Sequence, residues 1–428
     1  MMQALLNIWN QTKELAASIS NVLVAKVLSS IFSVLLFLFL VKIFSVEDLG
    51  TFSFFTSAAA IITVASNWGV NEYLLREGAA APGKLGQLVG NSMFLKGSLG
   101  LAFGFLIAVY FLFQKTAFLS LITFLLILFI ALVDAQTITF VVAYRSQGNT
   151  RFETWFLTGR NACRLAAVVL ISCWRGGLLE IICSMAVVNL TGLLVASRAF
   201  RRFREDRPIP KINLRSAFEL ARSATPFVLL TVIGTAYTRA DQIMLGLLKD
   251  SYEVGVYAVA RQFYETALFL PASIYVVLLP KLTRLYLDDP YYWLDRGPKA
   301  LGWALLLGAV MGISLFIGLP HVIRFLFGTK YLASEPVIRV LMVAYIFDFV
   351  WVTLLISLLI SSDHTRMLNL IVFSNLALNI MVNLYAIPRY GPLGAAYATV
   401  LSEFFTFSLG TCFLFKKISD MKLAAKKI

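Results

Sequence analysis

The chain has 428 residues, of which 59% are hydrophobic and only 14% charged, and its mean hydropathy is +0.81. A soluble core of this length cannot hide so much apolar surface, so lipid must solvate most of the chain. Its formal net charge is +14, and in so apolar a chain basic loops and tails record membrane topology and contact with anionic lipid rather than nucleic acid.

A membrane span needs about 20 mostly apolar residues. The first such run, from Asn21 to Phe44, follows a polar segment and ends without a small-residue cleavage site, so it reads as a span and not as a removable signal peptide. On the same ruler, helices are predicted at 17–43, 50–69, 87–113, 117–143, 155–174 and 178–198. A second set follows at 216–247, 254–279, 300–319, 336–360, 367–387 and 393–415. The predicted class is an all-α integral membrane protein of about twelve transmembrane helices. Between the sets lies Arg201-Arg202-Phe203-Arg204-Glu205-Asp206-Arg207-Pro208-Ile209-Pro210-Lys211, the most charged stretch of the chain. It divides an N-lobe, 1–200, from a C-lobe, 215–428, through a basic linker, 201–214. The bias of Lys and Arg among the loops places both termini in the cytoplasm. The basic tail from Lys416 to Lys427 then faces anionic lipid.

The two halves share short motifs. Asp48-Leu49-Gly50-Thr51-Phe52 opens the second helix and Glu253-Val254-Gly255-Val256-Tyr257 the eighth, and Asn149-Thr150-Arg151 before the fifth matches His364-Thr365-Arg366 before the eleventh. Six helices per copy is an even number, so the copies enter the membrane from the same side. A parallel repeat gives two pseudo-symmetric six-helix lobes around a central cavity.

Lys26, Lys96, Arg160, Arg164, Arg222, Arg239, Arg261 and Arg339 fall inside predicted spans. At roughly 2.5–3.5 kcal/mol for each mid-bilayer cation, exposing all of them to lipid would cost on the order of 20–28 kcal/mol, so they must snorkel to an interface or line a wet cavity. Arg222 and Arg339 lie near helix ends and snorkel. Lys26 and Lys96, about two turns in, fit either role. Arg160 and Arg164 share one face of the fifth helix despite their repulsion, an arrangement that suits an anion site, and Arg164 is the deepest. With Arg239 and Arg261 in the second lobe, these residues are candidate substrate contacts, a ladder of positive charge for an anionic group crossing the bilayer. Asp241, two residues from Arg239, faces something else. It forms either an ion pair with a neighbouring helix or a coupling or gating element. Asp134, Glu265, Asp348 and Glu403 are further acids in or near spans, with no deep acidic pair among them. Pro226 and Pro271 make the seventh and eighth helices the candidate bending points.

Cys163, Cys173, Cys183 and Cys412 lie in apolar runs without metal-like spacing and read as buried thiols. The two histidines, His321 and His364, both in predicted loops, leave little material for a metal site or triad. No metal or cofactor and no enzymatic role is expected.

The run from Asn375 through Asn379 and Asn383 to Ile387-Pro388-Arg389-Tyr390-Gly391-Pro392-Leu393-Gly394-Ala395-Ala396-Tyr397-Ala398-Thr399 resembles the carboxyl-terminal signature of polysaccharide-biosynthesis flippases. These belong to the multidrug/oligosaccharidyl-lipid/polysaccharide exporter superfamily. The stretches around Arg239-Ala240-Asp241 and from Val254 to Pro280 are similar to that family's seventh and eighth helices, and the turn at Asp48 to its first loop. O-antigen-type flippases fit best, because the lipid II flippases of the superfamily typically have fourteen helices. The resemblance implies ATP-independent transport of an undecaprenyl-diphosphate-linked glycan across the bacterial inner membrane by alternating access. Other polysaccharide-assembly membrane proteins are its implied partners. Family cavities are cationic, a role the resemblance extends to Arg164, Arg239 and Arg261. Two rivals stay open. A drug antiporter of the same fold would want buried carboxylates where this sequence has more deep Arg. A membrane glycosyltransferase would want a long external loop, although Glu47-Asp48 superficially matches its acidic site. No GxxxxGK[ST] loop is present for nucleotide-driven transport.

Overall fold

The computed structural model describes residues 28–113, 118–174, 176–203, 214–289, 291 and 293–425. Among the described residues there is no strand, and the helices follow one another in the order α1 Leu28–Ile43, α2 Val46–Asn67, α3 Val70–Ala80, α4 Leu85–Phe113, α5 Phe118–Ser146, α6 Thr150–Cys173, α7 Leu178–Phe203 and α8 Leu214–Leu248. The remainder are α9 Ser251–Ala267, α10 Phe269–Asp288, α11 Trp293–Phe327, α12 Ser334–Val350, α13 Ile356–Ser361, α14 Thr365–Tyr390 and α15 Pro392–Ala425. Ten segments among the described residues are long and apolar enough to cross a membrane. With α1 and the more polar, 35-residue α8, they make the expected twelve.

Three local readings need correction. Residues 70–80 form an additional short helix, α3, where no element was expected; its polar and apolar residues mix too closely for a span, but Val70 and Leu74 are buried on one side. His321 lies inside α11, which runs past the predicted end at 319. The four cysteines are exposed, not buried, because in a membrane span an apolar run faces lipid as readily as it faces protein.

The described residues gather into two compact units. One lies within Met1–Phe44 and Phe55–Thr235, the other within Ser45–Phe54 and Ala236–Ile428. Inside lipid no hydrophobic drive pulls helices together, so close packing and buried polar contacts hold each unit. In the first, α3, α4, α5 and α7 meet around Leu74, Val89, Phe140, Tyr144 and Phe200. The rings of Phe55, Phe111 and Phe124 pack 5.1–5.6 Å apart.

In the second unit the repeated motifs prove to be two capped helix starts. Ser45 and Asp48 form a reciprocal box at the head of α2, at 2.8 and 3.0 Å. Asp250 accepts from the Glu253 amide at the head of α9, at 2.9 Å. The two heads then pack on each other through their glycines. A Cβ on Gly50 would lie 1.7 Å from the Ser251 carbonyl oxygen, and one on Gly255 would lie 2.0 Å from that of Val46. The resemblance between Asp48-Leu49-Gly50 and Glu253-Val254-Gly255 is therefore a contact as well as a repeat.

The predicted eighth span is broken after Ala267 and resumes as α10, with Pro271 in the first turn, where a missing amide costs least. Pro226 falls within α8. The tenth span passes through one π-helical turn, Trp351–Leu355.

Candidate functional site

In the first unit, α5, α6 and α7 bring one acid and two arginines together inside the span. Arg160 and Arg164, one turn apart on α6, both reach the same Oδ1 of Asp134 on α5, Arg164 at 3.2 Å. Arg164 also donates to Asn189 of α7 and, at 3.4 Å, to Asn161. Asn189 is itself anchored on the Met185 carbonyl at 2.8 Å, and Asn161 donates to Ser29 of α1 at 2.6 Å. The Arg160 and Arg164 side chains are 7% and 16% exposed, against 34% for Asp134. One carboxylate thus serves two guanidiniums, and the Nε atoms of both arginines are buried without a partner among the described residues. Among the described residues the arrangement retains one uncompensated positive charge and spare N–H donors, which is what a phosphate or carboxylate would satisfy.

Lys96 stands apart from this pair. It is 1% exposed and donates to Asn71 of α3 and to Thr139 of α5, the latter at 2.9 Å. Lys26 lies outside the described residues. Arg222 and Arg339 are exposed, Arg339 over the Phe316 ring at 5.8 Å.

The second unit assembles a different set. Asp241 of α8, 2% exposed, accepts from Tyr257 at 2.6 Å, Asn383 at 2.7 Å, Thr399 at 3.2 Å and Arg261 at 3.4 Å. Arg261 also meets Glu265 at 3.1 Å, and Arg239 lies 3.8 Å from the same Glu265 oxygen. Asp241 therefore does pair with a neighbouring helix, through Arg261.

The expectation that the spans hold no deep acidic pair is overturned. Asp348 of α12 and Glu403 of α15 are 8% and 3% exposed, are electrostatic neighbours, and each accepts from a buried tyrosine. The tyrosines are Tyr264 for Asp348, at 2.8 Å, and Tyr237 for Glu403. Two arginines here face four carboxylates. The legible sign was the spacing of Asn375, Asn379 and Asn383, four residues apart on one face of α14. Asn383 bonds Asn379 at 2.9 Å, and Asn379 bonds Ser402 at 3.3 Å. Which acids faced that stripe depended on helix rotations that spacing alone does not fix.

Helices of this number and apolarity, with polar clusters in their midst, define a multi-pass membrane protein. Its fold is that of a solved lipid II flippase, MurJ, in an inward closed conformation, with a TM-score of 0.69 and 14% identity over 94% of this chain and 90% of that one. It is also that of an inward-facing multidrug resistance MATE transporter of the MOP superfamily, at 0.64 and 12% over 94% and 99%. The chain belongs to the polysaccharide biosynthesis protein family, which it matches over residues 15–286. An uncharacterized membrane protein of Methanocaldococcus jannaschii is 24% identical over 257 residues, 57% of this chain, and this chain spans about half, 48%, of that relative's length.

Proposed function

We propose that the chain is a flippase that moves an undecaprenyl-diphosphate-linked oligosaccharide from the cytoplasmic to the periplasmic leaflet of a bacterial inner membrane. The glycan would be an O-antigen or similar surface-polysaccharide repeat unit, and transfer would proceed by alternating access with both termini in the cytoplasm. The observation that carries this reading is the Arg160/Arg164 pair, which shares one carboxylate and keeps buried donors unused inside a membrane span. A guanidinium binds phosphate oxygens in a planar fork, and a diphosphate offers two adjacent anionic groups for two adjacent forks. Asp134 holds the forks in place until the headgroup displaces it.

Lys26, Lys96, Arg239 and Arg261 belong to the same proposal as further cationic contacts. Asp241 with Arg261 serves as the coupling element, and Pro226 and Pro271 as bending points. A drug antiporter remains the second reading, favoured by the excess of carboxylates over arginines in the second unit. Binding of a radiolabelled lipid-diphosphate sugar and of a cationic dye to the purified chain separates the two. The flippase reading expects saturable binding of the first that inorganic diphosphate competes away. Saturable dye binding without lipid-diphosphate binding would replace it.

A further inference from the structure

A cavity of about 860 Å³ opens in the second unit where α15 leaves its apolar stretch. Its volume falls in the upper part of the range of about 300–1,000 Å³ usual for small-molecule sites. One wall is apolar, built by Leu409 and Phe413 of α15 and by Met367 at the head of α14. The polar part of the lining is Lys416, Lys417, Asp420, His364 and Tyr291. Along α15 the apolar Leu409 and Phe413 precede Lys416 and Lys417, and beyond the lysines the lining is mixed, Asp420 and Met421, so the cavity passes from an apolar stretch to a charged one as a membrane does toward its surface.

Neither Lys416 nor Lys417 forms an ion pair among the described residues, although Asp420 lies one turn beyond Lys416 and also lines the cavity. Lys417 is steadied over the Tyr286 ring at 5.0 Å, and His364 packs edge-on against Phe413 at 5.0 Å. Two ammonium groups without an acidic partner above an apolar wall match a molecule with an anionic head on apolar tails. Basic pockets between helices at a membrane surface hold anionic lipid heads for this reason.

We propose that this cavity binds one anionic phospholipid of the surrounding bilayer, its phosphate between Lys416 and Lys417 and its upper acyl carbons along Leu409 and Phe413. The site includes neither Arg160 nor Arg164 and does not rest on what the protein transports. A bilayer phospholipid is favoured over the polyprenyl carrier because the cavity lies where α15 passes from apolar to charged residues, where membrane lipid is always present, and its apolar lining on that helix is short, Leu409 and Phe413.

Native mass spectrometry of the purified full chain tests this, titrating phosphatidylglycerol and phosphatidylcholine of identical acyl chains, with undecaprenyl phosphate and inorganic phosphate as further arms. The expected result is one phosphatidylglycerol adduct at least tenfold tighter than phosphatidylcholine. Lys416→Gln/Lys417→Gln should weaken it about thirtyfold. Equal affinity for the two phospholipids, an unchanged double variant, or tighter capture of undecaprenyl phosphate would overturn the proposal. Cys412 lines the cavity, whereas Cys163, Cys173 and Cys183 are exposed elsewhere, so the wild-type chain carries its own probe. Phosphatidylglycerol should slow alkylation of Cys412 alone, and equal slowing at all four cysteines would count against the site even if the lysine variant fails to fold.

Discussion

Neutralising Asp134 tests the anion site with effects of opposite sign on two observables. In the wild-type chain the carboxylate competes with any incoming anion for Arg160 and Arg164. Two unit charges about 4 Å apart attract by roughly 4 kcal/mol at an effective dielectric of 20. Asp134 is about one-third exposed, and water screens it, so a competitive cost of about 1–2 kcal/mol is the usable figure. Asp134→Asn should therefore bind a lipid-diphosphate sugar about tenfold more tightly, since about 1.4 kcal/mol is a factor of ten. The same change leaves two mostly buried guanidiniums without counter-charge. Full burial would cost about 3–5 kcal/mol, and the partial exposure here lowers that to about 1–3 kcal/mol, read as a fall in melting temperature. The assay is binding of a radiolabelled lipid-diphosphate sugar beside thermal unfolding in the same detergent. Weaker binding together with a lower melting temperature would show Asp134 to be a structural brace and refute the reasoning.

Gly255→Ala should lower stability by about 1–3 kcal/mol, because its methyl group would lie 2.0 Å from the Val46 carbonyl oxygen and the heads of α2 and α9 must part; a melting temperature equal to wild type would show that the contact gives way freely. Tyr264→Phe removes the donor to buried Asp348 and should cost about 1–3 kcal/mol, whereas Tyr264→Phe in an Asp348→Asn background should cost clearly less. Equal costs in both backgrounds would deny the coupling. Lys96→Met replaces a buried cation that has only neutral hydrogen-bond partners with an apolar side chain of similar length, and stability should hold or rise. Unfolding of that variant would contradict the prediction.

The spans were legible because their apolar runs are long and bounded by charge. The heads of α2 and α9 were legible because the acids Asp48 and Glu253 introduce those runs, each three residues past a capping residue, Ser45 and Asp250. The helix α3 was not, since eleven mixed residues give no span signal. Arg160 and Arg164 could be placed on one face from their spacing of four, but their shared partner, Asp134, lies 26 residues before Arg160 and its role depended on how α5 and α6 pack. The same limit hid the Asp348 and Glu403 pair, whose tyrosine donors come from α9 and α8. The cysteines misled because hydropathy does not distinguish a lipid-facing residue from a protein-facing one.

Arg160 and Arg164 are proposed to receive a lipid diphosphate. Transfer of a lipid-diphosphate-linked glycan between leaflets of proteoliposomes, measured for wild type and for Arg160→Gln/Arg164→Gln at matched protein content, tests it most directly. Losing two charge-assisted contacts of about 1.5–3 kcal/mol each predicts roughly a hundredfold or greater loss of transfer with insertion and folding retained. Transfer at the wild-type rate by the folded double variant would contradict the account.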